Sequence, residues 1–227
     1  MTYRSVFLDA DNTLFDFDRS ERHALKETIE RFGGQFRESI TETYHLINAA
    51  CWRAYEDGRL SKEALRLRRF EQLFEETGMV ADAAAFADAY LNGLAATDYL
   101  VDGALDLLDY LAGHFQLVLV TNGLREVQHP RLDNTGIRRF FQAIVISDEI
   151  GVSKPQSGFF EHAFSHLGHP PSNEVLMVGD NLKADIGGAA AYGMDTCWYN
   201  PGRLANESGV QPTYEIERLA QLPELLG

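Results

Sequence analysis

Five short apolar runs divide this chain: residues 6–8, 116–120, 143–147, 174–178 and 196–199. Each is nearly continuous instead of alternating, as a strand must be when both faces of its sheet are covered. Between the later runs the period becomes helical. Leu105, Leu108, Leu111 and Ala112 share one stripe of residues 103–114, and Phe159, Phe160, Ala163, Phe164 and Leu167 form another. Strand alternating with helix predicts an α/β fold, a parallel sheet doubly wound with helices on both faces.

Residues 17–98 break the alternation and read as helix throughout. Asp18 with Glu21 has the spacing of a helix start, and Gly33-Gly34 that of its end. Ser61 suits the cap of a further helix that buries Leu67, Phe70, Leu73 and Phe74 and stops at Gly78. Asp82 suits the start of another, running through Phe86, Tyr90 and Leu94. The expected organisation is a core of residues 1–16 and 99–227 with a helical insertion over 17–98, hinged near 15–17 and 98–101. An insertion directly after the first strand has the position of a lid.

The first and fourth runs end in carboxylates. Val6-Phe7-Leu8 leads into Asp9-Ala10-Asp11-Asn12-Thr13; Val175-Leu176-Met177-Val178 leads into Gly179-Asp180, with Asp185 a little further on. Residues two apart on a strand share a face, so a strand persisting through Asp9 and Asp11 would aim both at one point. Two charges about 4 Å apart, at an effective dielectric of about 20, repel by about 4 kcal/mol. A divalent cation or a bound proton relieves such crowding. Read singly, either aspartate could equally be a turn or N-cap residue. Together, at the carboxyl ends of parallel strands where open α/β sheets bind ligands, the two segments point to metal-assisted chemistry on an anion.

Composition narrows the partners. The formal charge of −14 on 227 residues disfavours a nucleic-acid polymer or an anionic membrane, which are bound through Lys/Arg surfaces. A small anion feels the local field and is not disfavoured. No secretory apolar region opens the sequence and no stretch approaches about 18 consecutive apolar residues, so the expected location is cytoplasmic. Cys51 and Cys197, the only cysteines, are expected as buried free thiols.

Two further segments follow strands, Val120-Thr121-Asn122-Gly123 and Ser153-Lys154-Pro155. In this order, with the helical insertion between the first two, the four motifs resemble those of the haloacid dehalogenase-like (HAD) hydrolase superfamily over nearly the whole chain. The resemblance implies a Rossmann-like core with an inserted α-helical cap, Mg²⁺ as cofactor and an aspartyl-phosphate intermediate. It implies Asp9 as nucleophile, and Asp11 as the acid that protonates the leaving oxygen and then the base that activates water. Asp9, the Asp11 backbone carbonyl and Asp180 would hold Mg²⁺, with Asp185 behind them orienting ligands or Lys154. Thr121 and backbone N–H groups near Asn122 and Gly123 would bind phosphoryl oxygens, with Lys154 supplying positive charge. Oxygen donors without His or Cys suit Mg²⁺ better than zinc.

Single residues refine the resemblance. Haloacid dehalogenases lack an acid where Asp11 stands. Related sugar-phosphate mutases tend to carry Gly-Val and Glu-Asp where this chain has Asn12-Thr13 and Gly179-Asp180, so a phosphatase is implied. Phe7-Leu8-Asp9-Ala10-Asp11-Asn12-Thr13-Leu14-Phe15, Arg131-Leu132-Asp133-Asn134-Thr135-Gly136, the stretch from Val145 to Pro155, and Cys197-Trp198-Tyr199-Asn200 resemble the bacterial pyrimidine 5′-nucleotidases. The expected substrate is a nucleoside 5′-monophosphate, with UMP, dUMP and dTMP foremost. The alternatives are a phosphatase for sugar phosphates or another small phosphometabolite, and a phospho-accepting signalling module. His129-Pro130 departs from the pattern, and Pro is expected to kink or shorten the helix there. Arg66, Arg68 and Arg69 are expected on a solvated face, and His162 and His166 on an exposed helix face. Trp52, Tyr55 and Phe70 are expected as packing within the insertion.

Overall fold

The computed structural model describes residues 3–226. Its strands are β1 (Ser5–Leu8), β2 (Gln116–Thr121), β3 (Ala143–Ile146), β4 (Val175–Gly179), β5 (Asp195–Tyr199) and β6 (Tyr214–Ile216). Its helices are α1 (Phe17–Arg31), α2 (Glu38–Glu56), α3 (Lys62–Thr77), α4 (Ala83–Ala95), α5 (Ala104–Ala112), α6 (Arg125–Asn134), α7 (Ser147–Ile150), α8 (Ser157–Ser165), α9 (Gly188–Tyr192) and α10 (Leu222–Leu226). The strands form one sheet in the order β3-β2-β1-β4-β5-β6, parallel throughout. This is the doubly wound α/β sheet that the apolar runs predict. The edge strand β6 has no counterpart among those runs.

Both faces are covered, which is why the runs are continuous. On one face Val6, Leu8, Leu119 and Val178 pack with Leu107, Leu108 and Leu111 of α5 and with Leu222 and Leu226 of α10. On the other, Phe7, Val118, Val120 and Met177 pack with Phe159, Phe160 and Ala163 of α8 and Ala189 of α9. Leu105, expected on the buried stripe of α5, is instead exposed, and Leu107 takes its place. Both cysteines are buried and free.

The chain divides into two compact units, one of Asp18–Thr97 and the other of the chain on either side of it. The flanking segments run past each other within the second of these. Asp16 N–H donates to Tyr99 O at 3.1 Å and Val101 N–H to Leu14 O at 2.9 Å, with Phe15 bridged antiparallel to Leu100.

Within Asp18–Thr97, Ser61, Asp82 and Gly78 act as caps, whereas α1 already starts at Phe17, ahead of Asp18, and Glu21 is engaged by Asn48. Ser61 Oγ accepts the Ala64 N–H at 3.2 Å, Asp82 Oδ1 accepts the Ala85 N–H at 2.7 Å, and Gly78 closes α3 at φ 70°. Tyr44, Phe86 and Tyr90 gather around Phe70, their ring centroids 5.1–5.4 Å from its own. The buried side of α3 carries Leu65, Arg69, Phe70 and Leu73, while Leu67 and Phe74 are only half-buried. Arg69 therefore does not lie on a solvated face. Its Nη1 donates to Asn48 Oδ1 at 3.0 Å, and Asn48 Nδ2 donates to Glu21 Oε1 at 2.7 Å. Its guanidinium also sits over the rings of Phe70 and Tyr90, 4.9 and 5.2 Å from their centroids. Removing one member of a buried charged network leaves the other uncompensated. Arg69→Ala should therefore lower stability by about 3 kcal/mol in urea unfolding; a change within about 0.5 kcal/mol would mean that the network is not holding the bundle.

Candidate active site

The sheet order reverses beside β1: the chain steps outward through β2 and β3, then returns to β4 on the far side of β1. Helices on opposite faces part at such a reversal and leave a crevice at the carboxyl ends of the strands. Asp9 directly follows β1, Thr121 ends β2, and Gly179-Asp180 closes β4.

Lys154, in the loop between α7 and α8, is 2% exposed and draws these ends together. Its Nζ lies 2.6 Å from Asp9 Oδ1, 2.7 Å from Asp185 Oδ1 and 2.8 Å from the Val120 carbonyl. Asn122 fixes the lysine's backbone from both sides: its Nδ2 donates to Lys154 O and its Oδ1 accepts the Lys154 N–H, each at 2.9 Å. Burial works against the ammonium, but the carboxylates of Asp185 and Asp9 outweigh it and hold the lysine pKa above its ordinary value.

Asp185 lies in a π-helical turn, Leu182–Gly187, of the kind that often marks a functional site. Its Oδ2 accepts the Asn181 N–H at 3.1 Å. Gly179 makes this approach achievable, since a Cβ there would lie 2.3 Å from Asp185 Oδ2. Asn181 caps the same turn by accepting the Lys183 and Ala184 N–H groups. Trp198 Nε1 donates to Asp180 O at 2.8 Å.

Carboxylate oxygens of Asp9, Asp180 and Asp185 all lie within 4.8 Å of one another. Burial raises the Asp9 pKa to about 7 against the pull of Lys154, and burial with the neighbouring Asp9 and Asp185 raises that of Asp180. Three crowded carboxylates beside one ammonium form an all-oxygen donor set short of positive charge. That set fits Mg²⁺.

Asp11 departs from the geometry its spacing suggests. β1 stops at Leu8, so Asp9 and Asp11 do not share a strand face. The Asp11 carboxylate is taken instead by α6: Arg131 Nη1 donates to Oδ1 at 2.5 Å and Gln128 Nε2 to Oδ2 at 2.6 Å. Thr13 Oγ1 donates to Asp9 Oδ2 at 3.2 Å, and Asn12 Oδ1 accepts the Phe17 N–H at the start of α1. Thr121 Oγ1 accepts the Gly123 N–H at 3.0 Å. The helix α6 is not interrupted at His129-Pro130; it runs through Pro130. Pro130 lies mid-helix and leaves the Glu126 carbonyl without its i+4 N–H donor.

Thr13 and Arg131 fall within segments that carry the resemblance but were given no role at the site, and Gln128 was missed. A signal for the last two was present: Gln128 and Arg131 fall on the same buried stripe of α6 as Val127 and Leu132. Polar residues in an apolar stripe need partners. His162 on α8 and His166 just past its end are both exposed, as expected.

The profile of the haloacid dehalogenase-like hydrolases matches residues 3–193. The chain belongs to this family. The HAD-hydrolase YfnB of Bacillus subtilis is 35% identical over 99% of this chain and 95% of its own. The crystal structure of YfnB bound to magnesium superposes with a TM-score of 0.94 over 99% of both chains. The pyrimidine 5′-nucleotidases YjjG of Escherichia coli and PynA of Streptococcus pneumoniae are 32% and 34% identical over the whole chain, covering 99% and 96% of those proteins. Family and relatives together make the chain a phosphatase.

The raised Asp9 pKa fixes the sign of a pH effect. An unfolded aspartate titrates near about 3.9, whereas folded Asp9 titrates at about 7. Between those values the folded, metal-free chain binds more protons, so this group lowers stability as pH rises through that window. Metal needs the ionised form. Relative to Asp9→Asn, the metal-free protein should lose Tm between about pH 5 and pH 7. The Tm gained on adding Mg²⁺ should grow over the same range in calorimetry, and a gain that shrinks with rising pH would count against this site.

Proposed function

We propose that this chain is a cytoplasmic Mg²⁺-dependent phosphatase that hydrolyses nucleoside 5′-monophosphates, pyrimidine ones foremost, through an aspartyl-phosphate on Asp9. The observation that carries the reading is Asp9 itself. It is a buried carboxylate at the sheet reversal, held by Lys154 at 2.6 Å and Thr13 at 3.2 Å, with Asp180 and Asp185 beside it. The substrate class rests on the nucleotidase relatives YjjG and PynA. Among the described residues no helix is long and apolar enough to cross a membrane.

Asp9, the Asp11 backbone carbonyl and Asp180 are the residues that would hold Mg²⁺. When bound, the ion supplies the charge that lets an anionic nucleophile meet an anionic ester. Lys154 adds a fixed positive charge, and Asp185 fixes Lys154. Thr121, accepting from the Gly123 N–H, keeps its hydroxyl proton for a phosphoryl oxygen, alongside N–H groups near Asn122. An Asp9 oxygen attacks phosphorus. The ester P–O bond breaks with its electron pair on the departing alcohol oxygen, which takes a proton from Asp11. Water then attacks the phosphorus of the acyl phosphate and gives its proton to Asp11. The Asp9–phosphorus bond breaks, returning the carboxylate and releasing inorganic phosphate. The helical insertion of residues 17–98 is read as the cap domain of this enzyme, the part that selects the substrate.

Phosphate release with Mg²⁺ should be faster from UMP, dUMP or dTMP than from purine nucleotides or sugar phosphates. Asp9→Asn should lower kcat by at least about 10³-fold while leaving the fold intact. Preference for sugar phosphates would overturn the substrate class. Residual activity above a few per cent in Asp9→Asn would overturn the nucleophile. A single stoichiometric turnover with a persistent acyl phosphate would mark a phospho-accepting module instead.

A further inference from the structure

Both oxygens of Asp11 are held by side chains from outside its own motif. Both donors come from one face of α6, three residues apart. Arg131 is fully buried, with its guanidinium 4.1 Å from the centroid of the buried Phe15 ring. A buried guanidinium is costly unless paired, and Asp11, whose side chain is 28% exposed, is its partner. Gln128 is 1% exposed and passes directly over Gly123: a Cβ there would lie 2.2 Å from Gln128 Nε2. The same Nε2 lies 3.4 Å from Thr121 Oγ1, so Gln128 stands between Asp11 and the threonine of the second motif.

We propose that Gln128 and Arg131 are positioning residues that hold Asp11 by both of its oxygens and set where it delivers and receives its proton. This rests on the reading of Asp11 as acid and base given above. The two residues divide the work. Arg131 can only donate and stays with Oδ1. Gln128 Oε1 is buried without a hydrogen-bond partner among the described residues. Turning that amide end for end offers Oδ2 an acceptor where it offered a donor. The same side chain can thus hold Asp11 with its proton on or off. Gly123 belongs to this arrangement because any side chain there would push Gln128 off the carboxylate.

The test separates leaving groups. An alkyl ester such as UMP or ribose 5-phosphate needs a proton on its departing oxygen, whereas p-nitrophenolate leaves without one. Gln128→Met, Arg131→Lys and Arg131→Ala are compared with the wild type, all with Mg²⁺. The alkyl ester is whichever the wild type turns over faster. The expected result for Gln128→Met and Arg131→Ala is a fall in kcat on the alkyl ester of about 10²-fold, with less than about threefold on p-nitrophenyl phosphate. Arg131→Lys, which keeps the charge, should recover part of the loss. Gln128→Met keeps the length of the side chain and leaves the ion pair in place, so it remains informative should Arg131→Ala fail to fold. Equal losses on both esters, or none on either, would overturn the positioning role. A wild type inactive on both esters would instead remove the phosphatase reading, and this inference with it.

Discussion

The site depends on one buried ammonium. Lys154 Nζ meets three oxygens: it donates to Asp9 and the Val120 carbonyl and pairs its charge with Asp185. These belong to the end of β1, the turn after β4 and the penultimate residue of β2, so one ion registers three loops against each other. Taking that charge out of water costs several kcal/mol, which two carboxylates at hydrogen-bond distance offset. Arginine would not serve, because a planar fork cannot meet three acceptors arranged around a point. Asn122 completes the arrangement by clamping the lysine's own peptide groups, which fixes where the long side chain begins.

The two aspartates of the first motif are only two residues apart, yet they meet different surroundings. Asp9 faces an ammonium, a threonine hydroxyl and two more carboxylates. Asp11 faces a guanidinium and an amide on α6. Separate environments are how two carboxyl groups acquire separate tasks. The separation follows from where β1 stops: had the strand continued, both side chains would have shared one face and competed for the same cation.

Much of this was legible in the chain. The five apolar runs correspond to β1 through β5, because strands buried on both faces cannot afford polar positions. β6 was not visible, since three residues at an edge, with Glu215 exposed, make no run. In the insertion, Ser61 and Asp82 could be read because their side chains cap, whereas α2 starts at Arg37 without a side-chain cap and left no such mark. Arg69 was misplaced because a basic cluster resembles a solvated face; its partner Asn48, and Glu21 beyond that, lie far away in sequence. The gathering of Asp9, Asp180 and Asp185 was anticipated from strand ends, and the place of Lys154 among them only from the family resemblance. The hold of Gln128 and Arg131 on Asp11 was not, because it spans more than a hundred residues and appears in no local period.

The antiparallel pairing of Phe15 with Leu100 bears on how the chain can assemble. Ser5 of β1 pairs with Gln116 of β2 across 111 positions, a long loop to close at the centre of a sheet. Closing entropy grows only with the logarithm of loop length. With residues 15 and 100 paired, most of that separation is removed. Two halvings of the effective loop are worth about 1 kcal/mol. The pairing of the two segments that flank the helical unit thus shortens the loop that the parallel sheet must close between its two middle neighbours.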